Sequence, residues 1–292
     1  MSCRVACSVA AGVGIWLAPA VFEGALAQSV ADPDKSQYTL FNPVPDNLMR
    51  DFETDRPPKA NVPYTVDAGH FQYETDLVNF ADQWAGPTPG YTLLAPNPTL
   101  KAGLTDNVDI EVNVAPIVGV RAPNSMTGAF DTTWGIGDLF VRTKVNLWGN
   151  NGGSSAMALI PYVKAPTAPP GIGNGAVEAG IIAPLSFSLP NNFTLLFNSE
   201  IDALKDSTSD GRHANYVDLV TLGRPLFKDV TLYVEFWSDY NNDPTQRVTQ
   251  YSFDTAVAWL VHPNLQLDFG ADFGLNLATP AVQVFAGLSQ RF

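Results

Sequence analysis

The sequence predicts an all-β fold, a single transmembrane antiparallel up-and-down β-barrel of about twelve strands. Three observations carry the prediction. Apolar and polar residues alternate with period two in twelve separate runs, and that period puts one set of side chains on each face of a strand. The connections between runs are alternately short and long. Charged residues make up only 15 % of the chain although hydrophobic content is 46 %, whereas soluble domains carry about 25 % charged residues.

Taken in chain order, residues 1–27 read as a cleaved secretory signal. Arg4 gives a positive start, Val5 to Val21 is an almost uncharged apolar run, and Ala25-Leu26-Ala27 supplies a small-residue cleavage site. Both cysteines, Cys3 and Cys7, fall within it, so the mature chain is expected to hold neither a disulfide nor a thiolate-bound metal. No later stretch reaches 18 uninterrupted apolar residues, which excludes helical membrane spans. The net charge of −13, scattered along the chain, repels phosphate backbones and makes nucleic acid a poor partner.

Residues 28–65 do not alternate, and they hold six prolines between Pro33 and Pro63. They read as an N-terminal plug or leader segment, with 66–292 forming the barrel. The runs lie near 66–79, 92–104, 107–119, 135–148, 155–165, 176–189, 193–204, 214–224, 229–240, 250–261, 265–277 and 281–292. In "NVDIEVNV", Val108, Ile110, Val112 and Val114 share one face, and Asp109 and Glu111 share the other. In "LQLDFGADFGLNL", Leu267, Phe269 and Phe273 oppose Asp268 and Asp272. Short links such as "TDN" (105–107), "KD" (228–229) and "HPN" (262–264) alternate with long ones, and only "ATP" (278–280) breaks the rhythm. That rhythm and the charge deficit fit strands with one face toward lipid, where a charge is costly. An even strand count then puts both termini on the periplasmic side. Identical alternation with the faces reversed would describe a soluble secreted barrel or sandwich, which strand length and low charge disfavour.

With apolar faces outward, the lumen is lined by Glu74, Asp109, Glu111, Arg142, Lys144, Glu200, Glu235, Asp268 and Asp272, together with Asp76, Asp138, Glu178, Asp202, Asp239 and Asp254. A lining rich in carboxylates favours cations. Phe140, Tyr162, Tyr233, Trp237 and Phe285 share this face and could stack a small aromatic solute. Trp134 and Trp148 carry the same parity as Asp138 and Arg142, the lumenal face, unless a bulge near Gly135 or Gly137 re-aims one of them; otherwise they are large side chains at the rims. No enzyme is indicated, because none of the three histidines has a serine two residues along. "DYNNDP" (239–244) begins like a calcium loop, but Pro244 stands where glycine is required. Neither a cofactor nor a metal is expected, and nothing in the chain sets an oligomeric state.

Several motifs carry a family resemblance. They are the Glu53-Thr54-Asp55-Arg56-Pro57 box, Pro63-Tyr64-Thr65-Val66 and Gly69-His70-Phe71-Gln72 leading to Glu74, with "GLTDNVDIEV", "GIGDLFVRTK", "IPYVKAPT" and a terminal Phe292. Together they resemble the outer-membrane family labelled "putative MetA-pathway of phenol degradation". The resemblance implies a bacterial outer-membrane barrel, linked by name to aromatic-compound degradation, that acts in uptake and has no agreed catalytic residues. It also implies that Phe292 is the signal read by the barrel assembly machinery. Partners are then outer-membrane lipid, that machinery and a small-molecule solute. The expected function is a channel for passive or gated uptake of small solutes, aromatic or hydrophobic ones included. The alternative is a non-conducting barrel with a plugged lumen. Glu53, Asp55 and Arg56 would form the plug, with Arg56 paired to Glu74, Asp109 or Glu111.

Overall fold

The structure, a computed structural model, describes residues 34–84, 89–124 and 126–292. The expected signal, 1–27 with its cleavage site, lies outside the described residues. Among the described residues there is no α-helix, only two 3-10 turns at Asp46–Leu48 and Pro190–Asn192. Fifteen strands follow in order: β1 (Phe71–Gln83), β2 (Gly90–Leu94), β3 (Asn97–Thr105), β4 (Val108–Asn113), β5 (Val118–Pro123), β6 (Phe130–Gly135), β7 (Leu139–Trp148), β8 (Ser155–Ala165), β9 (Glu178–Leu189), β10 (Phe193–Lys205), β11 (Arg212–Phe227), β12 (Val230–Asn241), β13 (Val248–His262), β14 (Leu265–Gly274) and β15 (Val282–Arg291). All pair antiparallel, and β15 returns to β1, so the sheet is a closed barrel with its backbone groups satisfied.

Fifteen strands make twelve crossings, because three adjacent crossings are each broken into two pieces. β2 and β3 are separated at Ala95-Pro96, β4 and β5 at residues 114–117 around Pro116, and β6 and β7 at 136–138 around Gly137. Proline has no N–H for the ladder and glycine weakens a strand, so the breaks fall where the sequence removes pairing. Backbone bonds from Ala95 N to Ile117 O (3.1 Å) and Gly137 N to Ala115 O (2.8 Å) stitch the gap. The longest unbroken strand, β11, has 16 residues. At ~3.3 Å per residue and a tilt of ~40° it spans roughly 40 Å, enough for a hydrocarbon core and both interfaces.

The two faces are inverted relative to a soluble protein. Val112, Val141, Val163, Phe197, Ile201, Val220, Phe236, Phe253, Trp259, Phe269, Phe273 and Val284 are exposed on the outside. Their neighbours of opposite parity, Glu74, Asp109, Glu111, Lys144, Asn198, Thr221, Glu235, Asp254, Asp268 and Asp272, are buried inside. Outward apolar and inward polar rows are what a lipid environment selects.

Three sequence expectations are corrected, and a fourth, left open at Trp134, is decided. The first crossing begins at Phe71 rather than near 66. Residues 66–68 instead bond inward, with Val66 N donating to Asp109 (2.9 Å) and Val44 N to Ala68 O (2.9 Å). The last long run ends at Gly274, not 277, so the final connection is 275–281. There Asn276 Nδ2 donates to Thr249 O (2.8 Å) and Thr279 Oγ1 to Asn276 Oδ1 (2.7 Å). Polar side chains that capture nearby backbone compete with a ladder and end it. The long connections therefore all leave from one end of the barrel, after β1, β5, β8, β10, β12 and β14. The other end carries 106–107, 190–192, 228–229 and 263–264, with 149–154 its one longer link. Trp148 is half-exposed on the outside, because a register shift between Asn146 and Trp148 flips it. Trp134 is also exposed, beyond the break at 136–138, with its ring over Gly119.

Candidate functional site: a lumenal segment between two cavities

Prolines 57, 58 and 63 deny residues 51–67 both ladder and helix, so their backbone donors need partners elsewhere. Inward-facing wall residues provide them. Asp55 N donates to Glu74 (3.3 Å), Lys59 N and Ala60 N to Glu235 (3.0 and 3.2 Å), and Asn61 N to Asn198 (2.8 Å). Thr65 N donates to Asn150 (3.1 Å), and Asn146 Nδ2 donates to Pro63 O (2.8 Å). These partners stand on strands from most of the circumference, so the segment lies within the lumen. It enters and leaves by the short-turn end. Ala60 packs on Leu196 and Leu219 of the wall, with Val62, Val217 and Trp237 against them.

Four ionic groups seat the segment. At its neck, Asp67 is 1 % exposed among Lys35 (3.4 Å), Arg50 (3.7 Å) and Arg291 (3.5 Å), and Arg50 also reaches Asp106 (2.5 Å). Farther in, Asp55 sits between Lys101 and Lys144, whose ammonium is 2.8 Å from both its oxygens. Lys101 also meets Glu74 (2.6 Å), and Lys144 meets Glu111 (3.4 Å). Burial alone would raise the Asp55 carboxyl, but the two ammonium groups outweigh it and hold it well below the usual carboxylate range. Arg56 bonds Asp76 (2.6 Å) and Asp268 (2.5 Å) and lies 5.7 Å from the Phe285 ring. Lys59 bonds Asp254 (2.7 Å), Asp272 (2.9 Å) and Ser252 (3.1 Å), with Trp237 at 5.2 Å.

The segment divides the free lumen in two. A cavity of about 500 Å³ opens toward the short turns, lined by Glu53, Tyr64, Asn192, Pro225 and Asp229 among others. A second, of about 170 Å³, lies on the opposite side, lined by Asn97, Thr99, Glu111 and Arg142. Arg56 and Pro58 line both, so they form the septum. Glu53 is open to the larger cavity but enclosed by the barrel. That enclosure, followed by Asp51 and Asp55, pushes its carboxyl up to about 7.

The residues read from the sequence thus fall into two sets. Glu74, Asp109, Glu111, Lys144, Glu235, Asp268 and Asp272 lie on the inner wall around the segment. Arg142, half-buried over Phe140 (5.3 Å), and Glu200, near Asp202 and Tyr162, stand away from it. Arg56 does not pair with Glu74, Asp109 or Glu111 as expected. Lys101 and Lys144 already occupy Glu74 and Glu111, and Asp109 takes the Val66 N–H, whereas Arg56 bonds Asp76 and Asp268. Asp138 bonds Lys164 (3.2 Å) and Ala168 N (2.9 Å), fastening the 166–177 loop. Sequence reasoning missed Arg50, Lys59 and Asp67. The signal for Lys59 was a lone cation beside two prolines, facing a lumen with surplus carboxylates.

Fold and site define a transmembrane β-barrel of outer-membrane type whose lumen is occupied by its own N-terminal segment. The chain belongs to the family described as "Putative MetA-pathway of phenol degradation", whose model matches residues 54–292. Among solved structures, it resembles the COG4313 outer membrane channel from Pseudomonas putida F1, at 15 % identity and a TM-score of 0.55, over 76 % of this chain and 93 % of that one. It also matches the NanC porin, at 8 % identity and a TM-score of 0.48, over 75 % and 98 %. No curated protein matches the chain.

Proposed function

We propose that this protein is an outer-membrane channel for small solutes, gated by residues 51–67. The observation that carries the reading is the septum: Arg56 and Pro58 separate two water-sized or larger spaces that would otherwise join into one path. The Pseudomonas putida relative of similar fold is described as an outer membrane channel, and the family description points to aromatic compounds. An even number of crossings with short turns at the end where the chain enters favours both termini in the periplasm. The exposure of Phe292, about two-thirds, at the end of the last strand, with its N–H bonded to Phe71 O (2.8 Å), supports reading it as the assembly signal. The protein moves solutes without transforming them. The occupied lumen itself favours a second reading, a permanently closed barrel with a structural or binding role. Single-channel conductance in planar bilayers decides between them, comparing the mature protein with a variant lacking residues 51–66. Conductance of the truncated form with cation preference, against rare openings of the intact one, supports the gate. Silence of both forms leaves the closed barrel.

A further inference from the structure

The wall sites that hold the segment are built for more positive charge than the segment brings. Glu235 stands directly opposite Asp254, and Asp254 directly opposite Asp272, on the adjacent strands β12, β13 and β14. Like charges in direct cross-strand pairs repel, yet all three are buried, and one lysine answers them. Asp254 is 4 % exposed, and its Oδ1 has no hydrogen-bond partner among the described residues. The Lys59 ammonium also lies over the Trp237 ring, 5.2 Å from its centroid. The Arg56 site repeats the plan, with Asp76 and Asp268 as its carboxylates and Phe285 at 5.7 Å.

Two carboxylates with an aromatic face suit an organic cation. The anions take the N–H donors, and the ring takes the charge and the attached carbon. Resting on the channel reading above, we propose that these wall sites bind alkylammonium or guanidinium solutes, and that Lys59 and Arg56 occupy them as tethered stand-ins. An incoming organic cation competes for the cage, frees the side chain and lets the septum swing aside. Ligand and gate are thereby the same contact. Lys59 fits the part, since its side chain is 27 % exposed and lines the 170 Å³ cavity from which a solute would arrive.

The test uses n-butylammonium, the free counterpart of the lysine side chain, on the mature protein in planar bilayers. Sodium at equal ionic strength, n-butanol and butyrate are the controls. Competition predicts about tenfold more frequent openings at a concentration about nine times its Kd, none with the controls, and a Lys59→Gln channel that opens without amine and ignores it. If Lys59→Gln conducts while butylammonium affects the intact protein no more than sodium does, the cation sites are refuted and the channel stands. If no form conducts, the channel reading falls. The cages are then tested by thiol labelling of an Ala60→Cys variant, since the native cysteines, Cys3 and Cys7, lie in the expected signal. Butylammonium should speed methanethiosulfonate labelling of the introduced thiol severalfold over sodium, and equal rates overturn the proposal.

Discussion

Asp55→Asn removes the anion between two buried lysines while keeping the side chain's shape. Side-chain exposure is 9 % for Asp55, 3 % for Lys101 and 1 % for Lys144. Breaking a buried ion pair from one side costs about 3–5 kcal/mol. Here Glu74 and Glu111 remain as partners for the two ammonium groups, so the lower bound applies. A cost of about 3 kcal/mol is a factor of about 150 in the docking equilibrium, since 1.36 kcal/mol is tenfold. Trypsin reads that equilibrium directly. The Lys59–Ala60 bond is enclosed when the segment is docked, and Pro57 protects the bond after Arg56. When reclosing outpaces cleavage, the rate follows the open population. Cleavage after Lys59 should therefore rise by about two orders of magnitude in folded Asp55→Asn barrels, folding being checked by heat-modifiable gel mobility. Asp51→Asn, on an exposed side chain, is the control. The Asp55 carboxyl titrates below its ordinary value, so its contribution is complete above the ordinary value of ~4 and is lost only as pH falls below it. The difference between variant and wild type should thus be constant from about pH 5 to 8. Equal cleavage of Asp55→Asn and Asp51→Asn would falsify the ionic account of docking.

Glu53 works in the opposite direction. Its docked pKa is raised from 4.5 to about 7, so the docked state holds the proton, and docking weakens as pH rises across that interval. Openings should be more frequent at pH 7.5 than at pH 5, and Glu53→Gln should flatten the profile. A Cβ added at Gly287 would collide with the Arg56 guanidinium and with Thr75 O. Gly287→Ala should therefore displace Arg56 from Asp268 and raise conductance without changing any charge, and unchanged conductance would count against the septum. Asp218 is exposed on the outer face beside Ser199 (2.5 Å), between the outward residues Tyr216 and Val220. Asp218→Leu should stabilise the barrel in lipid by about 1–2 kcal/mol, read as a higher urea midpoint in vesicles. A lower midpoint would mean that Asp218 does not face the hydrocarbon.

The crossings were legible because each strand reports its own two faces. Leu267, Phe269 and Phe273 against Asp268 and Asp272 need no knowledge of any neighbour. What alternation does not report is a change of phase within a crossing. The shift at Asn146–Trp148 therefore turned Trp148 to the wrong side, and the breaks at Pro96 and Pro116 passed unseen, whereas the one at Gly137 was open as a bulge. Asp218, on a run that alternates poorly, was not recognised as outward. Inside the lumen the sequence showed which charges face inward but not which of them meet. Arg56 had more carboxylates within reach of parity than it could bond, and the lysines of β3 and β7 decided the matter. Lys59 went unremarked because its partners stand about 200 residues away on β13 and β14.

The neck of the lumenal segment has a kinetic consequence. Arg50 N donates to Asp67 Oδ2 at 3.0 Å, so the two ends of the loop are tied to each other at the rim. Release of the middle leaves those ends in place, and the freed loop stays at an effective concentration on the order of millimolar beside its seat. Its return is a unimolecular event, indifferent to how much protein the membrane holds. Because the loop enters and leaves by the same end, that return requires no threading and no opening of the β1–β15 seam. On the gated reading, closing would therefore be a fast recapture by a loop that never leaves its own barrel.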